Sequence, residues 1–272
     1  MNTSKSRSEI VVSLYQSGSS FRDIVRKLGK ISPNTIRRML QDADVKIRPM
    51  IHVSKRTCDE SYFDIIDTED KAYWLGFIMA DGCIRTNSHS LTVNLSTVDI
   101  GHLEKLRTCL RSDQPFYHQK DIKSTCGLTC LNICNKKLTD ALSSKGIIAH
   151  NKSIFKVENS LRRHFWRGVV DGNGTIGFCY NKSRFCRSPQ IRISLVGNTE
   201  TIDRFYEFCL EHIKTKAVPH RNITGRKLDE FRIGSRKALT IGSLLYDNST
   251  MFLDRKKRRF NRIRRIYLDY RK

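Results

Sequence analysis

The sequence has no apolar run of the roughly 20 residues that a membrane-spanning helix needs, and its N-terminus lacks the apolar core of a signal peptide. Acidic residues are also scarce: 27 Asp and Glu stand against 50 Lys and Arg, a formal net charge of +23. The first two absences predict an intracellular protein with no membrane partner. The shortage of acids predicts a polyanionic partner, above all nucleic acid, although a solvated basic surface is the simpler alternative.

The nine cysteines form no short disulfide framework, and their odd number fits reduced thiols in an intracellular protein. Cys126, Cys130 and Cys134 recur every four residues, which raises the alternative of a zinc site. No fourth Cys or His follows at a usual finger spacing, and Cys134 falls on a predicted strand. Core or surface thiols are therefore the favoured interpretation.

A nine-residue pattern occurs twice, as WLGFIMADG at 74–82 and as WRGVVDGNG at 166–174. Each copy is an apolar run, predicted to be helical, with small residues four positions apart. These small residues are Gly76, Ala80, Gly168 and Gly172. Residues at i and i+4 share one helix face, so two such helices can pack backbone to backbone. A glycine ends each run, which predicts that Asp81 and Asn173 lie side by side at the two helix ends.

The segments that follow the two motifs also resemble each other. Each contains an alternating strand pattern, a helical run, and a second strand that leads into a helix. The corresponding stretches are 91–96, 100–106 and 131–137 in the first copy, and 191–195, 201–208 and 231–237 in the second. A repeat of roughly 100 residues is domain-sized. It predicts two similar half-domains fused in one chain.

Both motifs resemble the signature of the LAGLIDADG homing endonucleases, and the first matches it at the acid, Asp81. The resemblance implies an α+β fold in which two pseudo-symmetric αββαββα half-domains join through their signature helices. It also implies double-stranded DNA as the partner and Mg²⁺ as the cofactor, held by the acid before the last glycine of each motif. Asn173 departs from this pattern, because an amide stands where a carboxylate is expected.

The resemblance assigns the catalytic roles as well. Asp81 and Asn173 are the expected metal ligands, and any backbone ligand stays unknown. Lys152 and Lys256, which follow the third helix of each half-domain, are expected to polarise the attacking water or to stabilise the phosphorane. Because the amide brings no charge, three outcomes stay open: cleavage with a weaker second metal site, preferential nicking of one strand, or DNA binding without cutting.

Three other polar residues lie near this expected site. Asp171 precedes Asn173 by two positions and so points elsewhere on a helix, and it matches a family position that is usually structural. A role as replacement ligand is therefore disfavoured. Asp99 and Thr199 lie near the positions of the family's water pocket.

The strands after each signature helix are expected to read the DNA, because a two-stranded β-ribbon fits the major groove. With Ile84 and Ile176 turned to the core, alternation predicts which side chains lie on the opposite face. In the first half they are Cys83, Arg85, Asn87, Thr92, Asn94 and Ser96. In the second half they are Thr175, Gly177, Cys179, Gln190, Arg192 and Ser194. Because the two sets differ, we expect an asymmetric target; a solvated sheet face is the simpler alternative.

The pattern of residues 1–48 predicts that this segment forms a separate small all-α domain. Ser20, with Asp23 three positions on, reads as a helix cap, and Ser32 with Pro33 opens a third helix. The pattern resembles a helix-turn-helix, in which the third helix enters the major groove. The expected core is Ile24, Leu28, Ile36, Met39 and Leu40, and the expected DNA contacts are Asn34, Thr35, Arg37 and Arg38. A three-helix protein-interaction module is the alternative.

The remaining boundaries follow from composition. Residues 49–61 read as a linker, 62–158 as the first half-domain and 159–272 as the second. Asp67, with Asp70 three positions on, is predicted to cap the first signature helix. Ten of the last eighteen residues, from Arg255, are Lys or Arg. This density indicates either a solvated helix or a phosphate-contacting tail.

We therefore expect a monomeric, metal-dependent endonuclease that cuts double-stranded DNA at a long asymmetric site and belongs to a mobile genetic element. Two alternatives share the fold. One is a DNA-binding regulator in which Asn173 marks weakened or lost catalysis, and the other is an RNA maturase, since members of the family also assist intron splicing.

Overall fold

The computed structural model describes residues 6–48, 56–119, 127–148, 151–152, 156–182, 187–222 and 228–271, but for 148, 151–152, 179, 181–182 and 187–188 only the backbone. Cys126, from the candidate zinc trio, lies outside these residues. The chain divides into two compact units, residues 1–53 and 54–272. Within the described ranges, no helix is long and apolar enough to cross a membrane.

The first unit contains three helices: α1 (Arg7–Gln16), α2 (Phe21–Leu28) and α3 (Pro33–Asp42). The predicted caps are confirmed. The Ser20 hydroxyl accepts a hydrogen bond from the Asp23 amide at 3.2 Å, and the Asp23 carboxylate accepts one from the Ser20 amide at 3.2 Å. Ser32 caps α3 through the amide of Thr35, and Pro33 occupies the first helical position. These bonds satisfy amides that have no partner within the helix.

This unit has a small hydrophobic core, separate from that of the second unit. The buried residues are Val11, Tyr15, Ile24, Ile31, Ile36 and Leu40. The predicted core residues Leu28 and Met39 are only partly buried and pack at the edge of this cluster.

The first half of the second unit follows the predicted order of elements. Its helices are α4 (Glu69–Asp81), α5 (Ile100–Cys109) and α6 (Lys136–Ser144). Its strands are β1 (Gly82–Arg85), β2 (Ser90–Ser96), β3 (Phe116–Gln119) and β4 (Leu128–Cys134), followed by a short hairpin of β5 (Ile147–Ile148) and β6 (Asn151–Lys152). The main sheet is antiparallel, in the order β1-β2-β4-β3.

Two sequence predictions at the start of this half meet a different structure. The N-cap of α4 is Thr68 rather than Asp67, and Asp67 instead pairs with Lys71 at 2.8 Å. Part of the segment predicted as linker also packs on this unit, since the Thr57 amide donates to the Asp113 carboxylate at 2.7 Å. The Asp67 carboxylate accepts a hydrogen bond from Lys71, four residues on, instead of from the helix amides, and the partner of Thr57 is 56 residues away in the chain.

The second half repeats the arrangement. Its helices are α7 (Arg162–Asn173), α8 (Thr199–Leu210), α9 (Ser235–Tyr246) and α10 (Asp254–Asp269). Its strands are β7 (Gly174–Lys182), β8 (Arg187–Gly197) and β9 (Asp229–Gly234), in the order β7-β8-β9. At the position of β3, the described residues contain a single bridge between His220 and Glu230. The α+β fold of two similar half-domains is confirmed.

The two halves meet where α4 crosses α7, and glycines make the contact possible. A Cβ on Gly76 would lie 2.1 Å from the Phe165 carbonyl oxygen, and one on Gly168 would lie 2.0 Å from that of Tyr73. A Cβ on Gly172 would lie 2.3 Å from the Ala80 Cβ. These distances are far below van der Waals contact, so the helices approach backbone to backbone. One continuous hydrophobic core extends from this contact into both sheets.

Gly168→Ala should therefore destabilise the second unit, because the methyl group has no space between the two backbones. We expect a loss of about 1–3 kcal/mol or more in the free energy of unfolding. Gly101→Ala is the matched control, since Gly101 is also helical and nothing lies within 4 Å of its Cβ position. The control should be neutral or stabilising by less than about 1 kcal/mol. Equal urea midpoints for both variants would contradict the close contact.

Candidate active site

Asp81 and Asn173 are the last residues of α4 and α7, and the crossing of these helices brings them together. The Asn173 side-chain amide donates to the Ala80 carbonyl at 3.5 Å. A Cβ built on Gly172 would lie 3.6 Å from the Asp81 carboxyl carbon. Asn173 is exposed and Asp81 is half-buried, so both can be reached from solvent. The predicted juxtaposition of the acid and the amide is present.

Asp171 lies below this pair and has a different role. It is 1% exposed, and its carboxylate accepts hydrogen bonds from the hydroxyls of Tyr73 at 2.8 Å and Tyr246 at 2.6 Å. The Leu253 amide donates a third, at 2.7 Å. Burial raises the pKa of Asp171, although its three donors act in the opposite direction. The carboxylate is enclosed by protein, which agrees with the sequence argument against a ligand role.

Lys256 is buried at the start of α10 and reaches the end of α7. Its ammonium donates to the carbonyls of Val170 at 2.8 Å, Asp171 at 2.5 Å and Gly174 at 2.7 Å, with Gly172 at 3.4 Å. Carbonyls at a helix C-terminus carry partial negative charge, so a cation there is stabilising. Burial nevertheless lowers the pKa of Lys256 to about 8.

Lys152 can be placed by its backbone. It lies on β6, where it pairs with Ile147 of β5. The strand β5 in turn lies next to β1, which begins directly after Asp81. The predicted second lysine is thus on an element close to the helix ends.

The two halves differ at a second pair of equivalent positions. Asp99 precedes α5, is nearly buried, and accepts a hydrogen bond from Arg255 Nε at 2.6 Å. The residue that precedes α8 is Asn198, which caps that helix through the amide of Thr201 at 2.9 Å. Thr199, expected near the position of the family's water pocket, is the first residue of α8, and the residue equivalent to Asp99 is Asn198. Preference of Asn for helix N-caps was the signal that could have identified it.

A cavity of about 230 Å³ lies beside Asn173. Among its lining residues are Met79, Ala80, Asn198 and Thr201. Within the described part of the chain, this lining contains two amides and no carboxylate. The charged groups Asp81, Asp99 and Arg255 are not among its lining residues, so the surroundings of Asn173 and Asp81 differ in charge.

The atoms at the helix ends are hard oxygen donors, which suit Mg²⁺ or a similar cation. They are the Asp81 carboxylate and the Asn173 amide oxygen, since the carbonyls of Ala80 and Gly172 accept hydrogen bonds from Asn173 and Lys256. Among the residues that the structure describes, no three His, Cys, Asp or Glu side chains group together around a metal position. A divalent ion at this point would therefore complete its shell with water or with ligand oxygens.

The outer faces of the two sheets carry most of the predicted DNA-reading residues. Arg85, Asn94, Thr175 and Arg192 are exposed there, and Thr92 and Ser96 are half-buried. Arg192 lies between Gly177 and Gly234 on the neighbouring strands. Glycine has no side chain to pack against the guanidinium, so Arg192 has free space on both sides.

Three predicted contacts are differently placed. Asn87 lies in the 3-10 turn Thr86–Ser88, because β1 ends at Arg85. Ser194 is on the predicted face but is only 9% exposed, between its register neighbours Thr175 and Arg232. Gln190 is half-buried and accepts a hydrogen bond from the Ser235 hydroxyl. Alternation predicts the face of a strand, but not what neighbouring strands place over it.

Three residues on the same faces were not predicted. Tyr117 is 52% exposed on β3, and Asn132 on β4 accepts a hydrogen bond from the Thr92 hydroxyl at 3.0 Å. Arg232 on β9 is held by two hydrogen bonds to Glu230, both 2.5 Å long. The alternating pattern could have identified two of them, because Asn132 and Arg232 each lie between two apolar residues of a strand.

In the first unit, the predicted contact residues lie along α3. Asn34, Arg37 and Arg38 are exposed, while Thr35 is half-buried, with its hydroxyl 2.8 Å from that of Ser32. One side of α3 therefore presents two cations and an amide to solvent.

The structural role of Asp171 and the candidate ligand role of Asp81 predict different effects of mutation on the free energy of unfolding. Asp171→Asn places an amide N–H₂ among three donors, so we expect a loss of about 2–4 kcal/mol in unfolding free energy. Asp81→Asn is the control, and it should change stability by less than about 1 kcal/mol. Urea unfolding at pH 7 measures both. If Asp171→Asn were as stable as the natural protein, the buried network would not have the role described above.

No family model matches this sequence, and no curated protein matches it. Several solved structures do resemble this chain in fold. The I-LtrWI LAGLIDADG homing endonuclease bound to target DNA has a TM-score of 0.52 and 11% identity, over 78% of this chain and 91% of that one. The I-SmaMI LAGLIDADG homing endonuclease bound to cleaved DNA has a TM-score of 0.52 and 13% identity, over 75% and 89%. Identities this low define the fold alone, and the fold is that of the LAGLIDADG homing endonucleases.

Proposed function

We propose that this protein is a site-specific DNA endonuclease that uses a divalent cation, Mg²⁺ by preference, and cuts the two DNA strands at unequal rates. The observation that carries the proposal is the pair Asp81 and Asn173, brought together by glycine packing at the ends of two crossed helices. Oxygen donors at this point suit a hard cation, and the net charge of +23 suits a DNA partner.

The proposed chemistry is phosphodiester hydrolysis. Asp81 would hold the divalent ion, which when bound would supply neutralisation of the developing charge on the scissile phosphate and activation of a water molecule. Asp81 supplies the charged ligand, while Asn173 supplies a neutral oxygen. Lys256 was expected to polarise water or to stabilise the phosphorane. Its four carbonyl acceptors support the second role, because they hold the ammonium at a fixed place as a positive charge near Asp81.

The unequal rates follow from charge. Asp81 and Asp99 have amide counterparts, Asn173 and Asn198, so the second side has lost two carboxylates relative to the first. A site with fewer charged ligands binds a divalent ion more weakly and stabilises the transition state less. The strand that depends on the Asn173 side is therefore the slower one. Loss of this second cut altogether would give a nicking enzyme or, if both cuts fail, a DNA-binding regulator.

DNA recognition is proposed for three surfaces. The outer faces of the two sheets present different side chains, which supports an asymmetric target. The exposed side of α3 adds two arginines and supports a helix-turn-helix that lengthens the site. Because both motif helices belong to one chain, a monomer contains the complete site.

Asp81→Asn should abolish cleavage and preserve DNA binding, because it removes the charged ligand and also a negative charge that faces phosphate. The substrate is a supercoiled plasmid that carries the joined sequences flanking the protein's own gene, with and without Mg²⁺. We expect cleavage to fall at least about a hundredfold. Asp67→Asn removes an exposed acid from the other end of the same helix and should cut normally. Near-normal cutting by Asp81→Asn would exclude Asp81 from the site.

Asn173→Asp should reduce the difference between the two strand rates. A difference of about 2 kcal/mol in transition-state stabilisation corresponds to roughly thirtyfold in rate, so nicked plasmid should accumulate with the natural protein. The variant should accelerate the slower strand and shorten the life of the nicked form. Strand-specific end labels measure both rates. Equal rates in the natural protein, unchanged by Asn173→Asp, would show that the amide serves as well as a carboxylate.

Replacing Arg37 and Arg38 together by Ala should weaken specific binding and shorten the protected region in footprinting, because α3 supplies contacts beyond the two sheets. The control is Arg26→Ala with Lys27→Ala, which removes the same charge from exposed positions on α2. Cleavage chemistry at saturating protein should be unaffected in both. A footprint of unchanged length in the α3 variant would favour a protein-interaction role for this unit.

A further inference from the structure

Arg232 lies on the outer face of the sheet formed by β7, β8 and β9. Its strand neighbours Phe231 and Ile233 are buried in the hydrophobic core, so alternation turns the Arg232 side chain to the opposite face. That face also presents Thr175 and Arg192, two of the residues expected to meet DNA. The Arg232 side chain is 51% exposed. It therefore belongs to the surface proposed for DNA recognition.

Glu230 holds this arginine in one orientation. The two residues are two positions apart on β9, so their side chains share a face. The Nε and Nη2 groups of Arg232 each donate to one oxygen of the Glu230 carboxylate, both at 2.5 Å. The Glu230 side chain is only 7% exposed, and its register neighbours are Val196 and His220. A planar guanidinium that is bound at two atoms by a nearly buried carboxylate has a fixed direction.

The carboxylate uses one edge of the guanidinium and leaves a second edge open. The hydrogen bonds to Glu230 take one donor on Nε and one on Nη2 of Arg232. Both donors on Nη1 and the other donor on Nη2 remain for a ligand. One N–H of each terminal nitrogen points away from Glu230, and the two are parallel. Such a pair of donors fits the O6 and N7 acceptors that guanine presents in the major groove.

The ion pair has costs that a role in stability does not explain. A carboxylate on a face that meets DNA repels phosphate, and it also neutralises one of the cations that this face offers. Ion pairs with an exposed partner contribute little to stability, and burial of the Glu230 side chain adds a desolvation cost. The pair does supply a fixed direction for the guanidinium. Hydrogen bonds to a base edge require that direction, whereas a phosphate accepts a cation from many directions.

The register of the sheet places Arg232 close to the candidate active site. Thr175 is two residues after Asn173, and Ser194 and then Arg232 lie beside it on the next two strands. Strands are about 4.8 Å apart and residues about 3.3 Å along a strand, so the Cα atoms of Arg232 and Asn173 are about 12 Å apart. With the length of the side chain added, and about 3.4 Å for each base pair, Arg232 reaches bases within about six base pairs of the cut.

We propose that Arg232 reads a guanine in the major groove of the target, within this distance of the cut, and that Glu230 is the positioning residue that directs it. The inference rests on the proposed function, since it takes site-specific binding of the same DNA as its basis. It concerns geometry and not charge alone. A lysine at position 232 would keep the positive charge, but a point charge does not donate two parallel hydrogen bonds.

The test is a selection of bound sequences from a pool of duplexes with a random central segment, without added divalent ions so that no DNA is cut. The natural protein is compared with Arg232→Lys and with Glu230→Gln. Mg²⁺ is then added to the selected duplex to locate the cuts. The controls, Arg204→Lys and Glu207→Gln, change an exposed ion pair on α8. That helix packs against the core face of the same sheet, away from DNA on the outer face.

We expect the natural protein to select a guanine, about five- to 150-fold over the other bases, at a position within about six base pairs of the cut. Arg232→Lys should lower this preference at least about fivefold, while the other positions and the affinity for arbitrary duplex stay unchanged.

Glu230→Gln should lower the same preference and raise the affinity for arbitrary duplex, because it removes a negative charge from the DNA-binding face. A purely structural ion pair would not shift these two quantities in opposite directions. Both control variants should keep the natural sequence profile and the natural affinity.

Failure of this inference and failure of the proposed function give different results. If the natural protein selected no sequence, or did not cut the selected duplex, the proposed function would fail. If Arg232→Lys kept every selected guanine, or lost a preference at a distant position or for another base, the inference alone would be overturned. Weaker binding with an unchanged profile would indicate a phosphate contact and would also overturn it. An unchanged preference in Glu230→Gln would exclude the positioning role of Glu230.

Discussion

The structure depends on the close contact between α4 and α7. Backbone meets backbone at Gly76 and Gly168, where any side chain would overlap a carbonyl oxygen. This contact sets the distance between the two helix ends, and so it sets the distance between Asp81 and Asn173. A contact through larger side chains would move the helix axes apart by several ångströms and separate the two oxygens that share the candidate metal position.

Polar groups then make this apolar contact specific. Arg167 is fully buried on α7, and its guanidinium donates to Glu69 at the start of α4 at 2.7 Å and to the Leu245 carbonyl at 2.9 Å. The Asp171 carboxylate accepts hydrogen bonds from Tyr73 on α4, Tyr246 on α9 and the Leu253 amide before α10. A buried charge with its partner removed is costly, so these groups disfavour sliding or rotation of one helix along the other. The geometry of the candidate site is thereby fixed by residues that are themselves buried.

The sequence predicted structure best where a residue pattern has a single structural explanation. Small residues four apart predicted the helix contact, and alternation predicted the strands and their core faces. Side-chain partners were not predictable, whether near or distant in the chain: Asp67 pairs with Lys71, four residues on, instead of capping α4, and Ser194 is covered on a face that alternation marks as open. Lys256 shows the same limit. Its position after α9 was found by resemblance, but its four carbonyl acceptors depend on how α10 packs against α7.

The buried network at the helix contact also limits which half-domains can be combined in one chain. Position by position along the two motifs, Tyr73 corresponds to Phe165, and Asp171 corresponds to Met79. Two copies of the second half would therefore bury two carboxylates and lack the tyrosine hydroxyl that α4 supplies. Two copies of the first half would lack the buried carboxylate and leave the Tyr73 hydroxyl only its contact with His102 Nε2, at 2.9 Å. The halves are complementary rather than interchangeable, so a chain in which a foreign half-domain replaced one of them would lose hydrogen bonds of this buried network.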